Sequence, residues 1–152
     1  MRWAHGEGFD LTLIEAMPLG DAGGDRDANF INLSQVKADL ATQLTLRDSA
    51  YATLGPSRYV EVAETGGRLG FITPLSHNFC STCNRVRLTC TGQLYTCLGH
   101  EGAADLRAVI RSDGDLNAAI DQALSMKPER HDFDLANPGQ LSTARHMSVT
   151  GG

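Results

Sequence analysis

The chain has no stretch of about 18 consecutive apolar residues, and no charged leader followed by a short apolar core and cleavage site. Neither a membrane span nor a secretory signal is expected, and a cytoplasmic setting follows by default. Positive charge is also scarce: 13 Lys and Arg against 18 Asp and Glu leave a formal net charge of −5. A nucleic-acid scaffold needs a net basic face to replace phosphate counterions, so this balance argues against that class. It does not argue against a nucleotide, because a triphosphate needs only a local basic pocket. The five histidines show neither H-x3-H nor H-E-x-x-H spacing, which removes a catalytic zinc site built on one helix. There is no internal repeat and no low-complexity tract. With 152 residues and 41% hydrophobic content, the chain can bury one core, either as a single domain or as part of a larger one.

What is present is concentrated in one segment. Four cysteines lie between residues 80 and 97, and three of them form the frame Cys80-x2-Cys83-x13-Cys97. In a reducing compartment, clustered cysteines stay as thiols or bind metal, so the frame reads as a ligand set rather than a disulfide framework. Two thiolates three residues apart at a tight turn can share one metal centre. A hairpin reversing at Thr91-Gly92 would return Cys97 to the same place. On spacing alone a structural zinc knuckle is as good a reading, with His77, His100 or Cys90 available as the fourth ligand. Arg85 and Arg87 follow the first cysteine pair directly, which makes the segment a place for an anionic ligand. Alternation puts Arg85, Arg87 and Thr89 on one strand face and Val86, Leu88 and Cys90 on the other. Cys90 is expected to be a small buried thiol in the core.

The elements around this segment can be read coarsely. A largely apolar run from Phe9 to Met17 suits a buried parallel strand. The glycine-rich stretch from Gly20 to Asp25 reads as a loop or boundary. Ser34 is expected to cap a helix from Gln35 to about Thr45, with Val36, Leu40 and Leu44 on one face. Strands are expected at Tyr59–Val62 and Leu69–Thr73, and the hairpin arms at Arg85–Cys90 and Gln93–Leu98. Asp105–Arg111 and Asp115 to about Met126 read as amphipathic helices, the second with Leu116, Ile120 and Leu124 inward. From Pro128 the chain turns polar and is expected to be extended.

Several separate pieces together resemble the C-terminal half of the radical S-adenosylmethionine GTP 3′,8-cyclases of molybdenum cofactor biosynthesis. They are Ile14-Glu15-Ala16-Met17-Pro18-Leu19-Gly20, then Gly70-Phe71-Ile72-Thr73-Pro74, then Phe79-Cys80-x-x-Cys83-Asn84-Arg85-x-Arg87-Leu88-Thr89. Gly92-x-Leu94-x-x-Cys97-Leu98 and the terminal Met147-Ser148-Val149-Thr150-Gly151-Gly152 complete the set. The Cys-x3-Cys-x2-Cys loop with which that family begins is absent, so the chain is expected to be a fragment, with Met1 an internal start, a misplaced gene start or an artificial boundary.

The resemblance implies a mixed α/β (α+β) fragment. Residues 1–20 would end an incomplete TIM-like radical S-adenosylmethionine barrel, 21–126 would form a C-terminal iron–sulfur and GTP-binding domain, and 127–152 an extended tail. It implies that Cys80, Cys83 and Cys97 hold a 4Fe-4S cluster with one iron left open, and that Cys90 is no ligand. It implies GTP contacts at Arg85, Val86 and Arg87, and an S-adenosylmethionine contact at Met17, a position that taken alone is ordinary core. Gly151 and Gly152 would enter the active site beside Arg85 and Arg87. The partners would be GTP and the missing N-terminal half, and a homodimer is allowed. The isolated chain would be inactive. Two other classes stay open: a zinc-binding interaction domain, and an iron–sulfur electron carrier with Cys90 as its fourth ligand.

Overall fold

The structure is a computed structural model and describes residues 1–20, 30–131, 133 and 143–150. These fall into two compact units, each built on its own small sheet. One contains Met1–Met17 with the described part of Ala28–Phe79, the other the described parts of Pro18–Asp27 and Cys80–Gly152. The architecture is mixed α/β with few helices, as the sequence implied.

In the first unit, α1 (Arg2–Gly6) precedes β1 (Leu11–Ile14), the central part of the predicted Phe9–Met17 strand, which is not the buried strand expected: it ends the sheet order, and Thr12 and Ile14 are exposed. Helix α2 spans Leu33–Ala41, followed by β2 (Leu46–Asp48), β3 (Arg58–Val62) and β4 (Arg68–Ile72). The sheet order is β1-β4-β3-β2. β1 runs parallel to β4, with Leu11 opposite Leu69, while β2–β3 and β3–β4 are antiparallel. Alternation sends Val60, Val62, Leu69 and Phe71 to one face, where they bury with Leu33. Val36, Leu40 and Leu44 of the α2 region pack against that core, as their spacing predicted. The cap is Asn32 rather than Ser34: the Asn32 side chain accepts the Ser34 N–H at 2.9 Å, so the helix begins earlier than expected.

The opposite face of this sheet is closed at Gly70. A Cβ there would stand 2.4 Å from Ser57 Oγ, 2.7 Å from Thr12 Oγ1 and 2.8 Å from the Tyr59 ring. Below the end of β1 the carboxylate of Glu15, 2% exposed, gathers the N–H groups of Leu33 at 3.2 Å, Leu75 at 2.9 Å and Ser76 at 3.0 Å. The Ser76 hydroxyl donates to it as well. A buried carboxylate is tolerated when its lone pairs are filled in this way.

The second unit holds β5 (Arg87–Leu88), β6 (Gln93–Tyr95) and β7 (Ala103–Asp105), all antiparallel, in the order β5-β6-β7. The reversal between β5 and β6 falls at the predicted Thr91-Gly92. Gly92 has φ +82, which few other residues adopt, and Thr89 closes the turn by accepting the Gln93 N–H on its hydroxyl at 3.0 Å. Asp105 caps α3 (Leu106–Arg111) and Asp115 caps α4 (Leu116–Ser125), each accepting the N–H three residues on.

The core of this unit is Leu94, Leu106 and Ala123, with Ala104, Ala119 and Ile120 against it. Leu116 and Leu124, expected inward with Ile120, are instead 36% and 44% exposed. The reason is geometric: small residues at 119 and 123 let α4 approach the sheet on its alanine stripe, which turns the flanking leucines out. Met147–Thr150 forms a 3-10 turn, so this part of the tail is not extended chain.

Candidate functional site

The cysteine segment is built from a short turn and the hairpin that follows it. Cys80–Thr82 is a 3-10 turn closed by the Cys83 N–H donating to the Cys80 carbonyl at 3.0 Å. This is the local shape that brings two thiols three residues apart to one side. Cys80, Cys83 and Cys97 are all partly buried.

The strand after the turn alternates as predicted, with its sense reversed. Arg85 and Arg87 are half-buried and Thr89 is buried, while Val86, Leu88 and Cys90 are exposed. The expectation that Cys90 fills a core site is therefore overturned. The half-buried Arg87 meets there the charge of Cys83 and Cys97, which favours its own. The side chain of Val86 points away from the face of Arg85 and Arg87. Met17 lies in the other unit, half-buried, three residues beyond β1. Gly151 and Gly152 lie outside the described residues.

The electrostatics tie these groups into one locale. Burial pushes the Cys83 thiol up, but the Arg85 N–H, the Arg85 guanidinium and the charge of Lys127 outweigh it and leave the thiol below the ordinary range. Burial raises the Cys97 thiol, opposed by the Gly99 N–H and Lys127 and reinforced by the neighbouring Cys80 and Cys83. Arg87 is lowered by burial and by Arg85 beside it, while Cys83 and Cys97 favour its charge. Cys83 thus lies within electrostatic reach of Arg85 and Arg87, and Cys97 within reach of Arg87.

Two cations with no motif of their own complete the surroundings. Lys127, one of two lysines in the chain, follows α4 and donates its Nζ to the Arg85 carbonyl at 3.0 Å and to the Thr96 carbonyl. It thereby bridges the two hairpin arms next to Cys83 and Cys97. Arg145 bonds the Leu98 and His100 carbonyls at 3.1 and 2.9 Å. The only available signal was indirect: Lys127 ends a helix, and Arg145 is an isolated cation in a polar tail. Glu15 was legible as a lone carboxylate in an apolar strand.

Among the described residues, no three His, Cys, Asp or Glu side chains are gathered closely enough to hold a metal ion. The donor chemistry still suits a thiolate-ligated cluster: three partly buried thiols that feel one another's charge, with cations beside them. A cubane spreads its thiolates over different irons, a looser demand than one ion makes on its ligands.

The profile described as Molybdenum Cofactor Synthesis C matches residues 9–133, most of the chain. The chain belongs to the Molybdenum Cofactor Synthesis C family. The matched span includes every cysteine, both arginines of the hairpin and Lys127. The chain is also 59% identical over its whole length to a protein of Brucella canis and to one of Rhizobium leguminosarum bv. trifolii, both named GTP 3′,8-cyclase. A Brucella melitensis protein of the same name is 58% identical. The similarity is to the C-terminal part of these proteins, and the chain spans 45% of their length. No helix among the described residues is long and apolar enough to cross a membrane.

Proposed function

We propose that this chain is the cluster- and nucleotide-binding part of a GTP 3′,8-cyclase, with Cys80, Cys83 and Cys97 holding a 4Fe-4S cluster and Arg85 and Arg87 facing GTP. The single observation that carries it is the pair of half-buried guanidinium groups, of which Arg87 feels the charge of Cys83 and Cys97. Two buried, neighbouring cations raise each other's cost, and an anion such as a triphosphate relieves it. When bound, the cluster would supply an open iron for a ligand atom of the guanine base.

The residues of the chain do the rest. Arg85 and Arg87 hold phosphate or ribose oxygens, Val86 contacts GTP through its backbone, since its side chain faces the other way, and the terminal Gly151-Gly152 reaches toward the nucleotide. In the whole enzyme an N-terminal half with a Cys-x3-Cys-x2-Cys loop generates the radical from S-adenosylmethionine, which Met17 contacts at the end of a barrel strand, β1. That radical would take the C3′ hydrogen of GTP; the C3′ radical would add to C8 of guanine, opening the C8–N7 double bond, and one further electron and a proton, supplied from outside this chain, would quench the radical left on the ring. Holding C3′ near both partners lowers the entropic part of the barrier, which is the service this half provides. The assembly is cytoplasmic, with GTP and the N-terminal half as partners and a second copy of the enzyme as a further one.

Anaerobic reconstitution tests the reading. About four irons per chain are expected, lost in Cys80→Ala, Cys83→Ala and Cys97→Ala and kept in Cys90→Ala, whose side chain is exposed. One zinc and no iron would replace this reading with a structural knuckle. Iron loss in Cys90→Ala would favour the electron carrier. The 152-residue chain alone should release no 5′-deoxyadenosine from S-adenosylmethionine.

A further inference from the structure

We infer that Arg145 is a positioning residue that latches the C-terminal tail onto the loop after Cys97, and so aims the terminal glycines. The inference rests on the role proposed above for those glycines. Its observation is the seat of the guanidinium, whose side chain is 7% exposed although it stands in a polar tail. Nη1 donates to Glu101 at 2.6 Å, and Nη2 donates to the Leu98 and His100 carbonyls at 3.1 and 2.9 Å. The flat face lies over the Tyr95 ring, 4.0 Å from its centroid. Two carbonyls, a carboxylate and an aromatic face converge on one cation, a seat that uses the planar fork of arginine and that lysine fills poorly. Surface arginines are exposed and pay little for it; this one is enclosed.

The contacts join two functional pieces. Leu98, His100 and Glu101 follow Cys97 directly, and Tyr95 lies two residues before it in β6. On the tail side, Thr143 receives the Gly20 N–H at 3.0 Å, and the buried Thr150 closes the last turn by donating to the Met147 carbonyl at 2.8 Å. Arg145 sits between these two fixings. Gly151 follows Thr150 directly, so seating residues 143–150 fixes the point from which the terminal glycines leave, which is how a residue without substrate contact can govern a reaction.

Hydrogen exchange and turnover together test the latch. In Arg145→Met, amides of residues 143–150 should exchange at least about tenfold faster, while those of α3 and α4 keep their protection. Unchanged exchange in the tail overturns the inference. So does equal loss across α3 and α4, which would make Arg145 a general stabiliser. In the complete enzyme carrying this chain, Arg145→Met should lower kcat about tenfold with the GTP KM and iron content unchanged. Combined with deletion of Gly151 and Gly152, it should add nothing to the loss caused by the deletion alone. Additive losses overturn the inference. If the deletion alone leaves turnover intact, the tail's role in the reaction falls, and the exchange result alone decides the latch.

Discussion

The Nζ of Lys127 donates to the backbone carbonyl of Arg85 at 3.0 Å, 42 residues away in sequence. With the Thr96 carbonyl as second acceptor, one ammonium joins both arms of the hairpin that carries the thiols. The side chain is partly buried, so these bonds are poorly replaced by water. Lys127→Met should lower the unfolding free energy by about 1.5–3 kcal/mol, the range for hydrogen bonds to a charged donor. Urea denaturation followed by circular dichroism measures it, and a midpoint equal to that of the parent chain would remove the clamp.

Glu15 is the strongest polar tie in the first unit, filled by three backbone N–H groups and the Ser76 hydroxyl. In Glu15→Ala those donors are left buried without an acceptor, at about 1–3 kcal/mol each before relaxation. A net loss of at least about 3 kcal/mol is expected. Glu15→Gln, which keeps the shape but presents an NH2 to N–H donors, should recover only part of it. A Gln variant as stable as the parent would show that the charge is not needed.

Gly70→Ala should destabilise by about 1–3 kcal/mol, the usual cost of overpacking. Its new methyl would meet Ser57 Oγ, just before β3, at 2.4 Å and Thr12 Oγ1 of β1 at 2.7 Å. Gly6→Ala, where nothing lies within 4 Å, serves as the control. Thermal melts of the two variants should separate clearly; coincident melts would refute the crowding.

Arg85→Ala and Arg87→Ala, each placed in the complete enzyme, should weaken GTP binding by about 1.5–3 kcal/mol. Arg87→Lys should recover little, since an ammonium cannot reproduce the planar fork. Calorimetry with GTP and with guanosine separates phosphate from base contacts. Equal losses for both ligands would show that the arginines do not reach the phosphates.

Much of the second unit was legible because its signals are local. The turn at Gly92, the two helices that start after Asp105 and Asp115 and the Cys80-Cys83 pair each follow from a few neighbouring residues. Alternation in β5 gave the parity, grouping Arg85, Arg87 and Thr89, yet not the sign. A period of two says which residues share a face and nothing of which face is buried. The same limit explains α4, where the apolar spacing was read on Leu116 and Leu124 while the packing chose Ala119 and Ala123.

By itself, the sequence determined the cysteine frame, the shared face of the two arginines, the positions of most strands and helices, and the resemblance that led to the family. Those are properties of short segments, fixed by propensity, spacing and turn chemistry. The tertiary structure alone decided that the arginine face is inner and Cys90 outer, that the parallel partner of β1 is β4, and that Lys127 and Arg145 reach carbonyls 31 to 47 residues away. These are contacts between residues distant in the chain. No local pattern encodes them, because a cation finds its carbonyls only after the backbone that bears both has folded.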